Sequence, residues 1–114
     1  MSHYGISAIH WNVNLGEIDE VRLHEIIRDQ NGAHAVTHAE LAWCSDVISL
    51  IHRGNKVWVF VSVPPADSFK NTDHVRIGVN QHGHQYLYSC TRNGTQTSAL
   101  TDLPRFQRPE DLER

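Results

Sequence analysis

Eight consecutive residues, Lys56-Val57-Trp58-Val59-Phe60-Val61-Ser62-Val63, constrain the fold more than any other stretch. They are β-branched or aromatic at positions of both parities, so they predict a strand that is apolar on both faces. Such a strand belongs in the middle of its sheet. Pro64-Pro65 ends it, because proline has no amide to continue a ladder. Just upstream, Thr37-His38-Ala39-Glu40 has the spacing of a capping box, with the threonine hydroxyl and the glutamate each satisfying an orphan amide. Leu41, Cys44, Ile48 and Ile51 follow at helical spacing, and Trp43, Val47 and Leu50 widen the stripe. Arg53 suits the negative end of the helix dipole, and Gly54 sits where a left-handed cap is wanted. The spacing therefore predicts one helix over about 38–53, packed across a sheet centred on Lys56–Val63.

The flanking segments supply the other strands. Tyr4 to Val13 reads as a first strand, with Ile9, Trp11 and Val13 on one face and Ala8, His10 and Asn12 on the other. Asn14-Leu15-Gly16 makes a turn. In Glu17 to Asp29, Val21, Leu23 and Ile27 alternate like a strand, while Ile18, Leu23, Ile26 and Ile27 also fit a helix face. The missing N-cap favours the strand. Asn31-Gly32 is a tight-turn pair, after which Ala33 to Val36 pairs back briefly. Pro64 to Thr72 has the composition of a polar loop. Val75, Ile77 and Val79 mark a strand, His82-Gly83-His84 a turn, and Tyr86, Tyr88 and Cys90 a further strand. Asn93-Gly94 is another turn, and Leu100, Leu103, Pro104 and Phe106 suggest a closing segment that packs on the body. The fold class expected is α+β, a mostly antiparallel sheet of about five strands with one helix on a face.

At 114 residues the chain fits one domain over 1–108, with a charged, frayed tail at 109–114. The net charge of −3 and the scattering of its ten basic residues along the sequence argue against a nucleic-acid partner. No signal peptide is recognisable, and no apolar run approaches the roughly 20 residues of a membrane span. The setting expected is cytoplasmic and reducing. Cys44 and Cys90 then read as small buried hydrophobes rather than a disulfide.

In order, Ile77-Gly78-Val79, Gly83, Tyr86-Leu87, Asn93-Gly94, Leu100 and Leu103-Pro104-Arg105-Phe106 form a series. It resembles a family of short bacterial proteins catalogued as a domain of unknown function, built as two strands, a capped helix, three strands and a Leu-Pro-x-aromatic ending. The resemblance runs from Tyr4 to Phe106. It implies the fold but carries no activity and no catalytic residues, and the Pro64–Thr72 stretch and the histidine content depart from it.

Three kinds of site come into question. Nine histidines are the compositional oddity. His74, His82, His84 and Cys90 are the candidate zinc ligands, although their spacing follows no familiar ligand pattern and solvated turn histidines account for them equally. His34 and His38 share a face only if the helix starts early. Catalysis lacks a constellation: Cys44 sits on an apolar stripe, and no nucleophile elbow or phosphate loop is present. Trp11, Trp58 and Phe60 could share a sheet face, and with Arg76 they form the candidate binding residues, for a protein partner or, less expected, for stacked bases. The function expected is a non-enzymatic binding or regulatory module without a cofactor, acting on a protein partner or through self-association. Its alternatives are a nucleic-acid accessory protein and a zinc-binding protein.

Overall fold

The computed structural model describes residues 2–28, 34–36, 39–63 and 68–107. Strands β1 (His3–Asn12) and β2 (Glu17–Arg28) pair antiparallel. Their turn is closed by the Gly16 amide on the Asn12 carbonyl at 2.8 Å. Strand geometry over 17–28 lets Val21 be fully buried while Ile18 and Leu23 pack beside it. Along the other edge of β2 lie two short strands end to end, β3 (His34–Val36) and β4 (Glu40–Trp43). Helix α1 (Cys44–His52) then crosses the core, and β5 (Lys56–Val63) returns parallel to β1. Strands β6 (Ser68–Val79), β7 (Gln85–Cys90) and β8 (Gln96–Thr97) follow as antiparallel neighbours.

The fold is α+β with one helix, as expected, but the sheet is larger than expected. It is mixed and has eight strands, in the order β3-β2-β1-β5-β6-β7-β8 with β4 branching onto β2. β5 stands at the middle of that path. No helix among the described residues is long and apolar enough to cross a membrane.

The helix is shorter than its sequence pattern predicts. Glu40–Trp43, read from the capping box as a first helical turn, instead pairs with Leu23–Glu20 of β2. The pairing turns Ala42 toward the core beside Val21, so a ladder and a packed face outweigh local helix preference. Glu40 is consequently exposed and belongs to a strand rather than to the first turn of the helix. The helix is started by Asp46, whose carboxylate accepts the Trp43 amide at 3.1 Å. Its end is as predicted. Gly54 adopts φ +91°, and the Gly54 and Asn55 amides return to the Ile51 and Leu50 carbonyls at 3.0 and 3.1 Å, a Schellman arrangement. Asn55 also ties the helix end to the start of β1 by accepting the Ser2 amide at 2.9 Å.

Ser68–Thr72, expected in a loop, belongs to β6, where Phe69 and Lys70 pair with Ser62 and Val61. Asn31-Gly32, Thr37, His38, Pro64-Pro65 and the tail at 109–114 lie outside the described residues.

Two irregularities decide which side chains share a face. Ser7 is an extra residue in β1, so Ile6 and Ile9, three apart, both reach the core; Asp19 is an extra residue in β2. Gly5 is required where the ring of Phe60 lies, since a Cβ there would meet it at 2.5 Å. The sheet is also curled. His84 at the start of β7 reaches Glu17 of β2 at 3.1 Å, although four strand spacings separate β2 from β7, about 19 Å in a flat sheet. The concave side holds Ile6, Ile9, Val21, Val57, Val59, Val75 and Leu87 against Val47 of the helix.

The closing segment completes this core. Leu100 and Leu103 are 1% and 5% exposed. Beyond Ile6, β1 has parted from β5, and Pro104–Phe106 takes the vacated edge. The Ile9 amide donates to the Pro104 carbonyl and the Phe106 amide to the Ile9 carbonyl, both at 3.0 Å.

Candidate binding cleft along an open strand edge

Backbone groups of a strand point alternately to its two neighbours. In β7 the alternation is set at both ends. The Asn80 amide donates to the His84 carbonyl at 2.9 Å, so the even-numbered residues 84 to 90 face β6. The Thr91 amide donates to the Thr95 carbonyl at 2.9 Å, so the odd-numbered residues face β8. β8 pairs only with Ser89 and Cys90. The amides and carbonyls of Gln85 and Leu87 therefore point to an edge that no strand among the described residues occupies.

That edge borders a cleft of about 720 Å³. Tyr86, Leu87, Tyr88 and Ser89 form one wall, and Trp11, Gly16, Glu17 and Ile18 of the β1–β2 hairpin form the other, with Leu100 and Thr97 also lining it. The volume lies in the range of sites that hold ligands, and the lining is mainly apolar with a few polar groups, as such sites are. The Arg105 guanidinium sits 5.0 Å from the centre of the Trp11 ring and holds that ring in the hairpin wall. Glu17 and His84 span the two walls and fix their separation.

Behind the pair the cleft continues toward the helix as a smaller cavity of about 220 Å³, bordered by Ile18, Asp19, Trp43, Cys44 and Ile48. Its electrostatics are acidic. Burial, followed by Asp19 and Glu17, pushes the Cys44 thiol up to about 12 from 9.0. Cys44 opens the helix rather than lying mid-helix. Even so, burial first and the carboxylates after it outweigh the activation that a helix start gives a thiol, and its Sγ donates to the Ile18 carbonyl at 3.1 Å. Both cysteines are free.

The far wall is anchored by a hydroxyl network. The Leu100 amide donates to Ser89 Oγ at 3.0 Å, Ser89 Oγ contacts Thr97 Oγ1 at 2.9 Å, and Thr97 Oγ1 donates to Asp73. Ser89 is 1% exposed, so these bonds are made in the interior.

The residues singled out from sequence divide between the two sides of the sheet. Trp11 lines the cleft. Trp58 and Phe60 lie on the convex side, because Trp58 stands opposite Gly5, whose neighbours Tyr4 and Ile6 point inward. The expectation of one face for all three is thus corrected: the extra residue Ser7 in β1 shifts the alternation after Ile6, so Trp11 turns to the concave side while Gly5 and Trp58 stay on the convex one. Phe60 is 3% exposed and is not available to a partner. Trp58 is half-buried, with its Nε1 shielded and without a hydrogen-bond partner among the described residues, and its ring lies 4.1 Å from that of His74. Arg76 is exposed on the same side.

The zinc ligands suggested by sequence are not brought together. His74 stands opposite Cys90, which is 2% exposed. His82 and His84 lie at the other end of β7, about 20 Å away at 3.3 Å per residue. Among the described residues no group of three or more His, Cys, Asp or Glu side chains is placed to hold a metal ion.

The open edge carried no signal in the sequence, because it arises where β8 stops short, and a two-residue strand has no readable pattern. Comparison with protein-family models, with curated proteins and with solved structures finds no match to the chain.

Proposed function

We propose that the protein is a binding module that takes an extended segment of a partner protein into the cleft beside β7, by strand addition. The observation that carries this reading is the backbone edge at Gln85 and Leu87, unpaired among the described residues and facing a cleft of about 720 Å³. Exposed edges are ordinarily blunted by charge, proline or a bulge, and Gln85-Tyr86-Leu87-Tyr88 has none of these. Added main-chain hydrogen bonds supply affinity in this mode, and pockets for alternate side chains supply selectivity. Here Trp11 and Leu100 favour an apolar residue facing inward, and Glu17 favours a basic one at the rim. Edge-to-edge pairing of β7 with the β7 of a second copy is disfavoured, because each β7 edge is walled by its own hairpin.

The test is selection of random displayed peptides on the full chain, followed by amide-shift mapping of the enriched peptides. The expected peptides are extended, alternate apolar residues with a basic one, and shift the Gln85 and Leu87 amides. Gln85→Pro removes an outward amide at the start of the strand, where proline is tolerated, and is expected to weaken binding by about tenfold or more while leaving the fold intact. Peptides that map elsewhere, or that bind the Gln85→Pro variant equally well, overturn the reading. So does self-association through the same amides, which would give the edge to a second copy.

A further inference from the structure

The convex side of the sheet carries a second surface of opposite charge. β5, β6 and β7 present Trp58, His74, Arg76, Tyr86 and Tyr88 there, since Trp58 stands opposite His74, and Arg76 opposite Tyr88. The rings come in two pairs. Trp58 and His74 lie 4.1 Å apart at 34°, and Tyr86 and Tyr88 lie 6.2 Å apart at 50°. Tyr86 is 37% exposed, and its ring lies over Gly78, so its outer face is turned to solvent.

Cations lie near the His74 end of this surface. Burial lowers the pKa of His74, and the charges of Arg76, Lys56 and Arg92 lower it further, with Asp73 alone opposing. Arg76, Lys56 and Arg92 are all exposed, whereas Asp73 is engaged by the Thr97 hydroxyl. Scattered in the sequence, Lys56 of β5 and Arg76 of β6 are brought to one face by strand parity, and Arg92, in the turn after β7, lies near enough for its charge to act on His74, in a chain whose net charge is −3.

We infer that this face binds single-stranded nucleic acid, with Lys56, Arg76 and Arg92 on phosphates and Tyr88 and Trp58 stacking bases. The cation cluster alone suits any anion; the choice is narrowed by aromatic rings at strand spacing between the cations, which is how open sheets and grooves hold unpaired bases. A duplex hides those base faces, and a membrane surface does not use them. The surface lies on the opposite side of the sheet from the concave core, and shares with the cleft only the strand that carries Tyr86 and Tyr88.

The experiment is fluorescence anisotropy of a labelled oligothymidylate titrated with the full chain over a range of salt, with labelled polyglutamate as the competing anion. Binding is expected to weaken with salt with a log–log slope of about −2, as three neutralised phosphates give on a single strand. Arg76→Ala and Arg92→Ala should each reduce that slope by about 0.7. Tyr88→Ala should lose roughly 5- to 100-fold in affinity, as removal of one stacked base does, while Tyr88→Phe keeps the stack and binds as the parent chain does. Circular dichroism of each variant confirms an unchanged fold. Absence of salt-dependent binding overturns the proposal. Equal affinity for polyglutamate, with Tyr88→Ala unaffected, also overturns it by reducing the face to a general anion surface. Binding unchanged by reversal of all three cations places any nucleic-acid contact elsewhere and overturns it as well.

Discussion

Two strands of this sheet lose a neighbour partway along, and the chain treats them differently. β1 parts from β5 after Ile6, and Pro104–Phe106 fills the gap, bonding both backbone groups of Ile9. β7 parts from β8 below Ser89, and nothing among the described residues fills that gap. The closed edge is covered by apolar burial, since Leu100 and Leu103 pull the closing segment into the core. The open edge has walls but no occupant. A buried backbone polar group without a partner is costly, so an edge left open beside a roomy cleft is tolerable only if water or another chain completes it. The contrast teaches that closure here depends on how far an apolar anchor extends, and that the unanchored edge is the one available for binding.

The contrast can be broken from the closed side first. Leu103→Ala removes the anchor nearest Pro104 and should cost about 2–5 kcal/mol by chemical denaturation, with loss of amide protection at Ile9. Ser89→Ala leaves the buried Leu100 amide without its acceptor and should cost about 1–3 kcal/mol. It should also loosen β8 and so lengthen the open edge, seen as faster exchange at Ser89 itself. The cleft's acidic end gives a pH signature. The Cys44 thiol stays protonated to about 12 in the folded chain, while an ordinary thiol ionises near 9.0. The unfolded chain therefore loses this proton first, and the stability present below pH 9.0 is lost as pH rises toward about 12. Thermal melts should fall more steeply in that window for the parent chain than for Cys44→Ala, and parallel curves would remove the argument. Smallest of all, Gln85→Pro should change stability by less than about 1 kcal/mol, because the amide it removes has no partner strand in the free chain.

How much of this was legible in the sequence follows from whether a signal was local. β5 was readable because eight residues of one character need no partner to identify them. The helix end was readable because Gly54 carries the left-handed residue of the cap itself. The helix start was not. Thr37-x-x-Glu40 and the spacing Leu41–Cys44–Ile48 are sound local helix signals, but Leu41-Ala42-Trp43 alternates equally well, and the exposed edge of β2 decided between them. Ser68–Thr72 reads as polar loop and becomes strand because Val61 and Ser62 offer it a ladder. A strict period of two puts Trp11 and Trp58 on one face; the bulge at Ser7, which no local sequence signal marks, turns Trp11 to the other. The cleft was invisible for the same reason, being a property of where β8 ends. The basic cluster was invisible because Lys56, Arg76 and Arg92 lie far apart in sequence and meet only across strands.

The edge of β7 at Leu87 is unpaired among the described residues, and amide hydrogen exchange of the free chain measures that directly. Leu87 is 8% exposed, so its side chain alone would suggest protection. With the edge open, its amide exchanges far faster than those of Tyr86 and Tyr88, which face β6, and at a rate close to that of Gln85. An amide at Leu87 protected to the same degree as its two neighbours would show the edge already occupied and would contradict the account.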